Sequence, residues 1–304
     1  MLRLHVIGAI ATFLPVCSPE KSRMLKRLLL FSVLCSSMAA LFAASLYVWT
    51  DRNGVRHYEQ GGAAPDAAVQ KEYREDHDHE IAWIPDGDTI HLKNGWKIRL
   101  IGINTPEIGK RRQPGQPGAE EARRYLKKLL DHHRIRLEYD QERFDRYRRR
   151  LAYVIRDDGL DVNAAILKAG WGHVNIVPPN VGRIESYLLL ERQARKAGIG
   201  IWAYPENRQK VVGRDKISRG FHRVRGRVVS VTENRKWIGL NMSSSFQVRL
   251  SRRKVQSYFQ SSFSPSQWLD HWLELRGWVG RKGEKRILWL DHPLQVEVWP
   301  SERP

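Results

Sequence analysis

The stretch RLIGINTPE, from Arg99 to Glu107, predicts a buried strand that runs into a turn. Side chains alternate along a strand, so this prediction places Arg99 on the same face as Ile101 and Ile103. A guanidinium keeps its charge, and its burial is costly unless an anion lies beside it. The strand stops at the Thr-Pro pair, and Glu107 follows on the turn. The stretch therefore predicts an arginine that needs an anionic partner, and a phosphate in that place would make it part of an enzyme.

Five segments with strand character and three with helical character surround this stretch. The strands are HEIAWIP, TIHLKN, WKIRLIGIN, RIRLEYD and RLAYVIRD, and the helices are GAEEARRYLKKLLDHH, LDVNAAILKAGW and RIESYLLLERQARKAG. Strands that come first, with helices between and after them, favour a small antiparallel barrel that carries helices. The sequence thus predicts an α+β domain over residues 80–205.

A second β-rich region follows, over residues 216–299, and its short segments predict another small β-barrel. The region carries six of the chain's 11 tryptophans, interleaved with Arg and Lys. Stacking platforms for single-stranded nucleic acid have this composition, and so do ordinary barrel cores. For any single tryptophan the core is the more frequent location.

The charge balance points to a polyanionic partner. Lys plus Arg number 52 against 33 Asp plus Glu, which gives a net charge of +19. Nucleic acid is the first partner to consider, and an anionic membrane surface is the rival. Hydrophobic residues at 41% and charged residues at 28% are typical of a globular chain rather than a disordered one.

The N-terminal 45 residues resemble an export leader. MLKRLLLFSVLCSSMAALFAAS begins at Met24 with two basic residues, continues as an apolar run and ends in small residues. This pattern predicts a signal peptide cleaved before Leu46, with residues 1–23 as a misassigned upstream start. An uncleaved membrane anchor is the alternative. Because Cys17 and Cys35 both lie in the leader, the mature chain would have no disulfide, and we expect a periplasmic or secreted monomer.

Residues 46–79 predict a small hairpin module and a linker. LYVWTDRNGVRHYEQ has two short alternating apolar runs around Asn53-Gly54, which is a strong hairpin signal. This stretch resembles a hairpin module that often follows the signal peptide of secreted bacterial proteins.

Oxygen-bearing side chains in the first domain fit phosphodiester hydrolysis. A hard divalent cation needs oxygen ligands, which Asp88, Asn104 and the Thr105 carbonyl would supply. Glu107 is placed to activate or orient the attacking water. Taken alone, Asp88 is explained as a turn residue and Glu107 as a solvated side chain.

Two arginines complete this set. Arg99 and Arg149 would grip the non-bridging phosphate oxygens and offset the charge gained in the transition state. Arg149, two residues before an apolar strand, is by itself explained as a charged strand edge. The occurrence of all these residues in this order favours the enzymatic interpretation.

The motifs over residues 80–203 resemble those of staphylococcal-type thermonucleases. They are DGDT, R-L-x-G-I-x-T-P-E, D-R-Y-x-R-x-L-A-Y, N-x-x-x-L-x-x-G and the closing GIW. The resemblance implies an OB-type five-stranded barrel with three helices and a calcium-dependent endonuclease that leaves 3′-phosphate ends on DNA and RNA. It also implies three sets of site residues: catalytic Arg99, Glu107 and Arg149; calcium ligands Asp88, Asn104 and Thr105; and phosphate-binding Arg146 and Tyr147.

Two departures from the family pattern stand out. Asn104 replaces the usual aspartate, and the segment HVNIVPPN (residues 173–180) lacks the family's tyrosines. The C-terminal region resembles an OB-like tail of some secreted bacterial nucleases, through R-G-R-V and L-R-G-W…H-P-x-Q-V-E-V. A non-catalytic nucleic-acid-binding protein on the same barrel is the alternative function, and the intact catalytic positions argue against it.

Overall fold

The computed structural model describes residues 46–50, 56–60, 76–109 and 114–299. The chain divides into a unit of Met1–Glu72 and a unit of Tyr73–Pro304. In the first unit, β1 (Leu46–Thr50) pairs antiparallel with β2 (Arg56–Gln60), the two segments for which a hairpin is predicted. The predicted leader over residues 1–45 lies outside the described residues, and so do residues 61–75 of the predicted linker. The linker prediction is wrong for Asp76–His79, because these residues form a strand that pairs with Ile135–Glu138 in the larger unit.

The larger unit begins with a six-stranded sheet in the order β3-β8-β9-β6-β5-β4. Its strands are β3 (Asp76–His79), β4 (Ile81–Trp83), β5 (Thr89–Leu92), β6 (Lys97–Leu100), β8 (Ile135–Glu138) and β9 (Arg150–Arg156). The two outer strands, β3 and β4, are joined through Glu80 alone, so the sheet curls into a nearly closed barrel. Two-residue strands β7 (Ile103–Asn104) and β10 (His173–Val174) pair with each other beside it.

Three helices pack with this sheet, and they confirm the predicted α+β class. They are α1 (Ala119–Leu130), α2 (Val162–Lys168) and α3 (Ile184–Ala197). Helix α1 has acidic residues in its first turn and basic residues in its last turn, which complements the helix dipole. The Asp161 side chain caps α2 by accepting a hydrogen bond from the Ala164 N–H at 2.9 Å.

The predicted continuous strand through residues 96–104 is wrong in one respect that matters for the site. Strand β6 ends at Leu100, and the chain turns at Gly102, whose φ is +77°, before β7 begins. Ile98 and Leu100 point into the core, so Arg99 faces the opposite side and does not share a face with Ile101 and Ile103.

The backbone groups freed by this turn find other partners. The buried Asn163 side chain donates to the Ile101 carbonyl at 2.8 Å, and the Asn175 N–H donates to the Gly102 carbonyl at 3.0 Å. The turn is therefore a fixed feature of the barrel, since its buried polar groups are satisfied.

The second sheet runs in the order β11-β12-β16-β17-β15-β14-β13, with β18 also paired to β16. Its strands are β11 (Lys210–Val211), β12 (Gly220–Arg227), β13 (Ser230–Glu233), β14 (Trp237–Asn241), β15 (Phe246–Ser251), β16 (Trp272–Lys282), β17 (Lys285–Trp289) and β18 (Val296–Trp299), with one helix, α4 (Arg252–Tyr258). It has a hydrophobic core of its own, centred on Val224, Leu240 and Val248. Strand β11 lies before the predicted start of this domain at residue 216. It belongs to the sheet because it pairs parallel with β12 at the edge.

In the part of the chain that the structure describes, no helix is long and apolar enough to span a bilayer.

Candidate active site

Asp88 lies at the end of a tight turn that packs against the rest of the site. The Asp88 N–H donates to Asp86 Oδ1 at 3.1 Å, which closes the turn around Gly87. A Cβ added at Gly87 would lie 2.8 Å from Thr105 Oγ1 and 2.9 Å from the Ala122 Cβ. This close approach is the reason for a glycine at that position, and it brings Asp88 beside Thr105.

The anionic partner of Arg99 is Asp88. Arg99 Nη2 lies 2.9 Å from Asp88 Oδ2 and 3.5 Å from Asn104 Oδ1. The Thr105 N–H donates to the same Asp88 oxygen at 2.9 Å. A positive charge thus bridges two of the oxygen-bearing side chains that the sequence predicted as metal ligands, and the third predicted ligand, Thr105, is bonded to one of them.

The pKa of Asp88 is set by burial and by the charged groups around it. Burial raises the pKa of Asp88 to about 6, while Arg99 lowers it and the carboxylates of Asp86 and Glu107 raise it. Carboxylate, amide and carbonyl oxygens are the donors that calcium prefers, and the neighbouring negative charges add to the attraction. The donor set of Asp88, Asn104 and Thr105 therefore fits a hard divalent cation. Among the described residues, no group of three or more His, Cys, Asp or Glu forms a metal site, so such a cation would depend on amide and carbonyl oxygens as well.

Glu107 lies on the exposed side of the same cleft, just past the end of the Thr-Pro pair. Its backbone is fixed at two points, because its N–H donates to Gln116 Oε1 at 2.9 Å and its carbonyl accepts from the Gln116 N–H at 2.9 Å. The carboxylate is consequently solvent-accessible while its backbone is held, an arrangement that suits a group that handles a water molecule.

A loop before β9 presents Arg149 to the cleft, and Asp145 organises that loop. Arg149 Nε donates to Asp145 Oδ2 at 2.7 Å, and the backbone N–H groups of Arg149 and Tyr147 donate to Asp145 Oδ1 at 2.9 and 2.8 Å. Arg148, between them, adopts a left-handed φ of +64°. The sequence analysis did not single out Asp145, although it stands four residues before Arg149 in the D-R-Y motif.

Tyr147 and Arg146 form an exposed pair at the rim. Arg146 Nη2 donates to the Tyr147 hydroxyl at 2.7 Å, and its guanidinium lies 4.8 Å from the centre of the Tyr147 ring. The Arg149 guanidinium lies 5.5 Å from the same ring. Arg146 and Arg149 thus both contact Tyr147.

One cleft of about 850 Å³ collects almost all the predicted site residues. Asp88, Arg99, Asn104, Glu107, Arg146, Tyr147 and Arg149 line it, and Thr105 is buried behind Asp88. Trp278, from the second sheet, also lines this cleft, which the sequence analysis did not predict. A second cavity of about 690 Å³, between Trp83 and His133, contains none of the predicted residues.

The fold and the cleft define a nuclease, and comparisons with known proteins agree. Residues 97–204 match the family model described as staphylococcal nuclease homologue, and residues 33–72 match a domain of unknown function (DUF4124). The nuclease match begins after Asp88, so the family model does not cover that residue. The second match includes the β1–β2 hairpin, for which no activity is given.

Curated relatives include two thermonucleases and an endonuclease. The chain is 40% identical over 124 residues to the thermonuclease of Staphylococcus intermedius, over 38% of this chain and 71% of the relative. It is 34% identical over 128 residues to the thermonuclease of Staphylococcus hyicus, over 41% of this chain and 75% of the relative. It is 37% identical over 123 residues to endonuclease YncB of Bacillus subtilis (strain 168), over 39% of this chain and 58% of the relative. The chain belongs to the staphylococcal nuclease family, and it is a hydrolase of nucleic acid.

Proposed function

We propose that this nuclease is a calcium-dependent endonuclease that cleaves both DNA and RNA and leaves 3′-phosphate ends. The observation that carries the proposal is the convergence of Arg99, Glu107 and Arg149 on one cleft around the buried Asp88. The net charge of +19 supports a polyanionic substrate.

The two arginines bind the scissile phosphate in this proposal. Each guanidinium offers a planar fork of N–H donors that matches two phosphate oxygens. As water adds to phosphorus, negative charge grows on those oxygens, and fixed positive charges in a partly buried site stabilise it. Asp145 holds Arg149 in place for this contact, and Asp88 holds Arg99.

Glu107 accepts the proton of the attacking water. The water oxygen forms a new bond to phosphorus, and the bond from phosphorus to the 5′ oxygen breaks, so the phosphate stays on the 3′ side. The departing 5′ oxygen takes a proton from solvent. Asp88, Asn104 and the Thr105 carbonyl would hold calcium, which when bound supplies positive charge at the phosphate and orients the water.

The test is hydrolysis of DNA and RNA by the purified chain, with calcium or with a chelator, and analysis of the product ends. We expect cleavage only with calcium, and fragments that a 3′-phosphatase converts to extendable ends. Glu107→Gln should lower the rate by about 100- to 10,000-fold, since it removes the proton acceptor.

Glu120→Gln is the matched control, because Glu120 is an exposed carboxylate of α1 outside the cleft. Full activity in chelator would refute the calcium dependence. Near wild-type activity of a folded Glu107→Gln variant, with folding checked by circular dichroism, would refute the role of Glu107.

Export is part of the same proposal. The apolar run behind Met24 and the small residues before Leu46 support a cleaved leader and a periplasmic or secreted location. Fractionation of producing cells, followed by N-terminal sequencing of the recovered protein, tests it. A mature chain that begins at Leu46 is the expected result, and a membrane-bound chain that retains Met24 would favour the anchor.

A further inference from the structure

A tryptophan from the second sheet lies in the nuclease cleft. Trp278 belongs to β16, yet it lines the same cavity as Arg99, Glu107 and Arg149. Its side chain is 47% exposed, a large fraction for a tryptophan. Exposed aromatic surface is unfavourable in water, so an aromatic ring open to a charged cleft points to a ligand with an apolar face.

The alternation of β16 explains how Trp278 reaches the cleft. Leu273, Leu275 and Val279 point into the core of the second sheet and are buried. Arg276 and Trp278 therefore lie on the opposite face of the strand. The ring of Phe221, the residue paired with Trp278 on β12, meets the Trp278 ring edge to face at 6.1 Å.

A buried ion pair fixes this face of β16 against helix α3, which packs with the first sheet. Arg276 Nη1 donates to Glu191 Oε2 of α3, and both side chains are almost completely buried. The second Glu191 oxygen lies 3.8 Å from His173 Nδ1 and accepts from the Val174 N–H at 3.4 Å. His173 in turn pairs with Asn104 across β10 and β7.

Aromatic contacts run along the same interface. The His173 ring lies 5.2 Å from the Phe221 ring and 4.8 Å from the Trp202 ring. The strand that carries Asn104 is thus linked, through His173 and Phe221, to the strand that carries Trp278. These contacts hold Trp278 in a defined position relative to the phosphate-binding arginines.

We propose that Trp278 is a stacking platform for a nucleobase of the bound strand, next to the phosphate held by Arg99 and Arg149. The ligand class is single-stranded polynucleotide of any sequence, because every base has a π face. In duplex the base faces are covered, so the platform gives the enzyme a preference for unpaired strands. The inference rests on the proposed function, since it places the base beside the phosphate of that site.

The experiment compares two polyanions that differ only in their bases. Oligo(dT) and an abasic deoxyribose-phosphate oligomer of equal length are titrated against the full chain carrying Glu107→Gln, with fluorescence anisotropy as the readout and a gel to verify intact ligand. Adding Trp278→Ala should weaken oligo(dT) binding by about five- to 150-fold and leave abasic binding unchanged. Trp278→Phe should retain most of the affinity.

Trp83→Ala is the control for loss of an exposed tryptophan, since Trp83 is 53% exposed and lies outside the cleft. It should leave the binding of both oligomers unchanged. Equal weakening of both oligomers by Trp278→Ala, or no weakening of either, would overturn the proposal.

Steady-state kinetics separates this inference from the proposed function. Trp278→Ala in the otherwise wild-type chain should raise KM for single-stranded DNA more than it changes kcat, and should affect duplex DNA less. A wild-type chain that hydrolyses DNA with calcium, together with an unchanged KM in Trp278→Ala, refutes the stacking platform alone. A wild-type chain that binds oligo(dT) through Trp278 and hydrolyses nothing refutes the proposed function alone.

Discussion

At the scale of single residues, Asn104 sets the charge of the proposed metal site. It brings an amide oxygen to a site whose one buried carboxylate, Asp88, is already paired with Arg99. Calcium affinity depends strongly on the number of charged ligands. This site therefore has fewer charges than one built on two aspartates.

Asn104→Asp should lower the calcium concentration for half-maximal activity severalfold, with a smaller effect on the rate at saturating calcium. Calcium titrations of the nuclease rate, and calorimetry of calcium binding without substrate, measure the shift. Asn175→Asp adds the same charge to another residue that lines the cleft, so it controls for general electrostatics. Equal shifts in both variants would mean that Asn104 is not a metal ligand.

Sequence motifs predicted which residues meet in the cleft, but they did not identify the partner of Arg99. The pairing with Asp88 depends on the register of β5 and β6, in which Thr89 lies opposite Arg99, and sequence alone does not fix that register. The sequence analysis offered stacking as one use of the tryptophans of the second region, but it did not place Trp278 in the cleft. Its place depends on the docking of one sheet against another, which no local pattern encodes.

At the scale of elements, the break between β6 and β7 gives the site its shape. In a continuous strand, Arg99 and Asn104 would stay apart along one extended segment. The turn at Gly102 folds Asn104 back, so that its amide oxygen comes within 3.5 Å of the Arg99 guanidinium. The alternation of side chains predicted strands on both sides of the turn, but it did not predict the turn itself. The left-handed backbone at Gly102 interrupts the alternation, which starts again in β7.

Gly102→Ala should destabilise the protein by more than the usual left-handed penalty, which is about 1–2 kcal/mol. The added Cβ would lie 3.0 Å from Tyr187 Cδ2, and Tyr187 is fixed by its hydrogen bond to Asp161. Gly159→Ala is the matched control, since its φ is +88° and no atom lies within 4 Å of the new Cβ. Urea unfolding of both variants gives the difference, and equal losses would show that the contact with Tyr187 is harmless.

At the scale of the whole molecule, the pair of Glu191 and Arg276 joins the two sheets. Burial by itself would raise the pKa of Glu191, but Arg276 and His173 hold it at about 2. The carboxyl therefore has a lower pKa in the folded chain than in the unfolded chain. Its contribution to stability is complete above its ordinary value of 4.5 and is lost as the pH falls from there toward 2.

Removing one partner of a buried ion pair leaves the other charge without compensation, so Arg276→Met should cost about 3–5 kcal/mol of unfolding free energy at neutral pH. The pH dependence of the unfolding free energy should also reverse its sign. Without Arg276, only His173 opposes the effect of burial, and we expect the pKa of Glu191 to rise above its ordinary value. The variant should then lose stability as the pH rises through that range, because a buried carboxylate must ionise.

Arg192→Ala is the control, because Arg192 and Glu297 form an exposed pair that also joins α3 to the second sheet, at 3.4 Å. Exposed pairs contribute about 0–1 kcal/mol, so this variant should unfold almost like the wild type. Urea unfolding of the three proteins at several pH values between 3 and 7 measures both effects. A small loss in Arg276→Met, with an unchanged pH dependence, would mean that the buried pair does not hold the sheets together, and the fixed position of Trp278 would then need another cause.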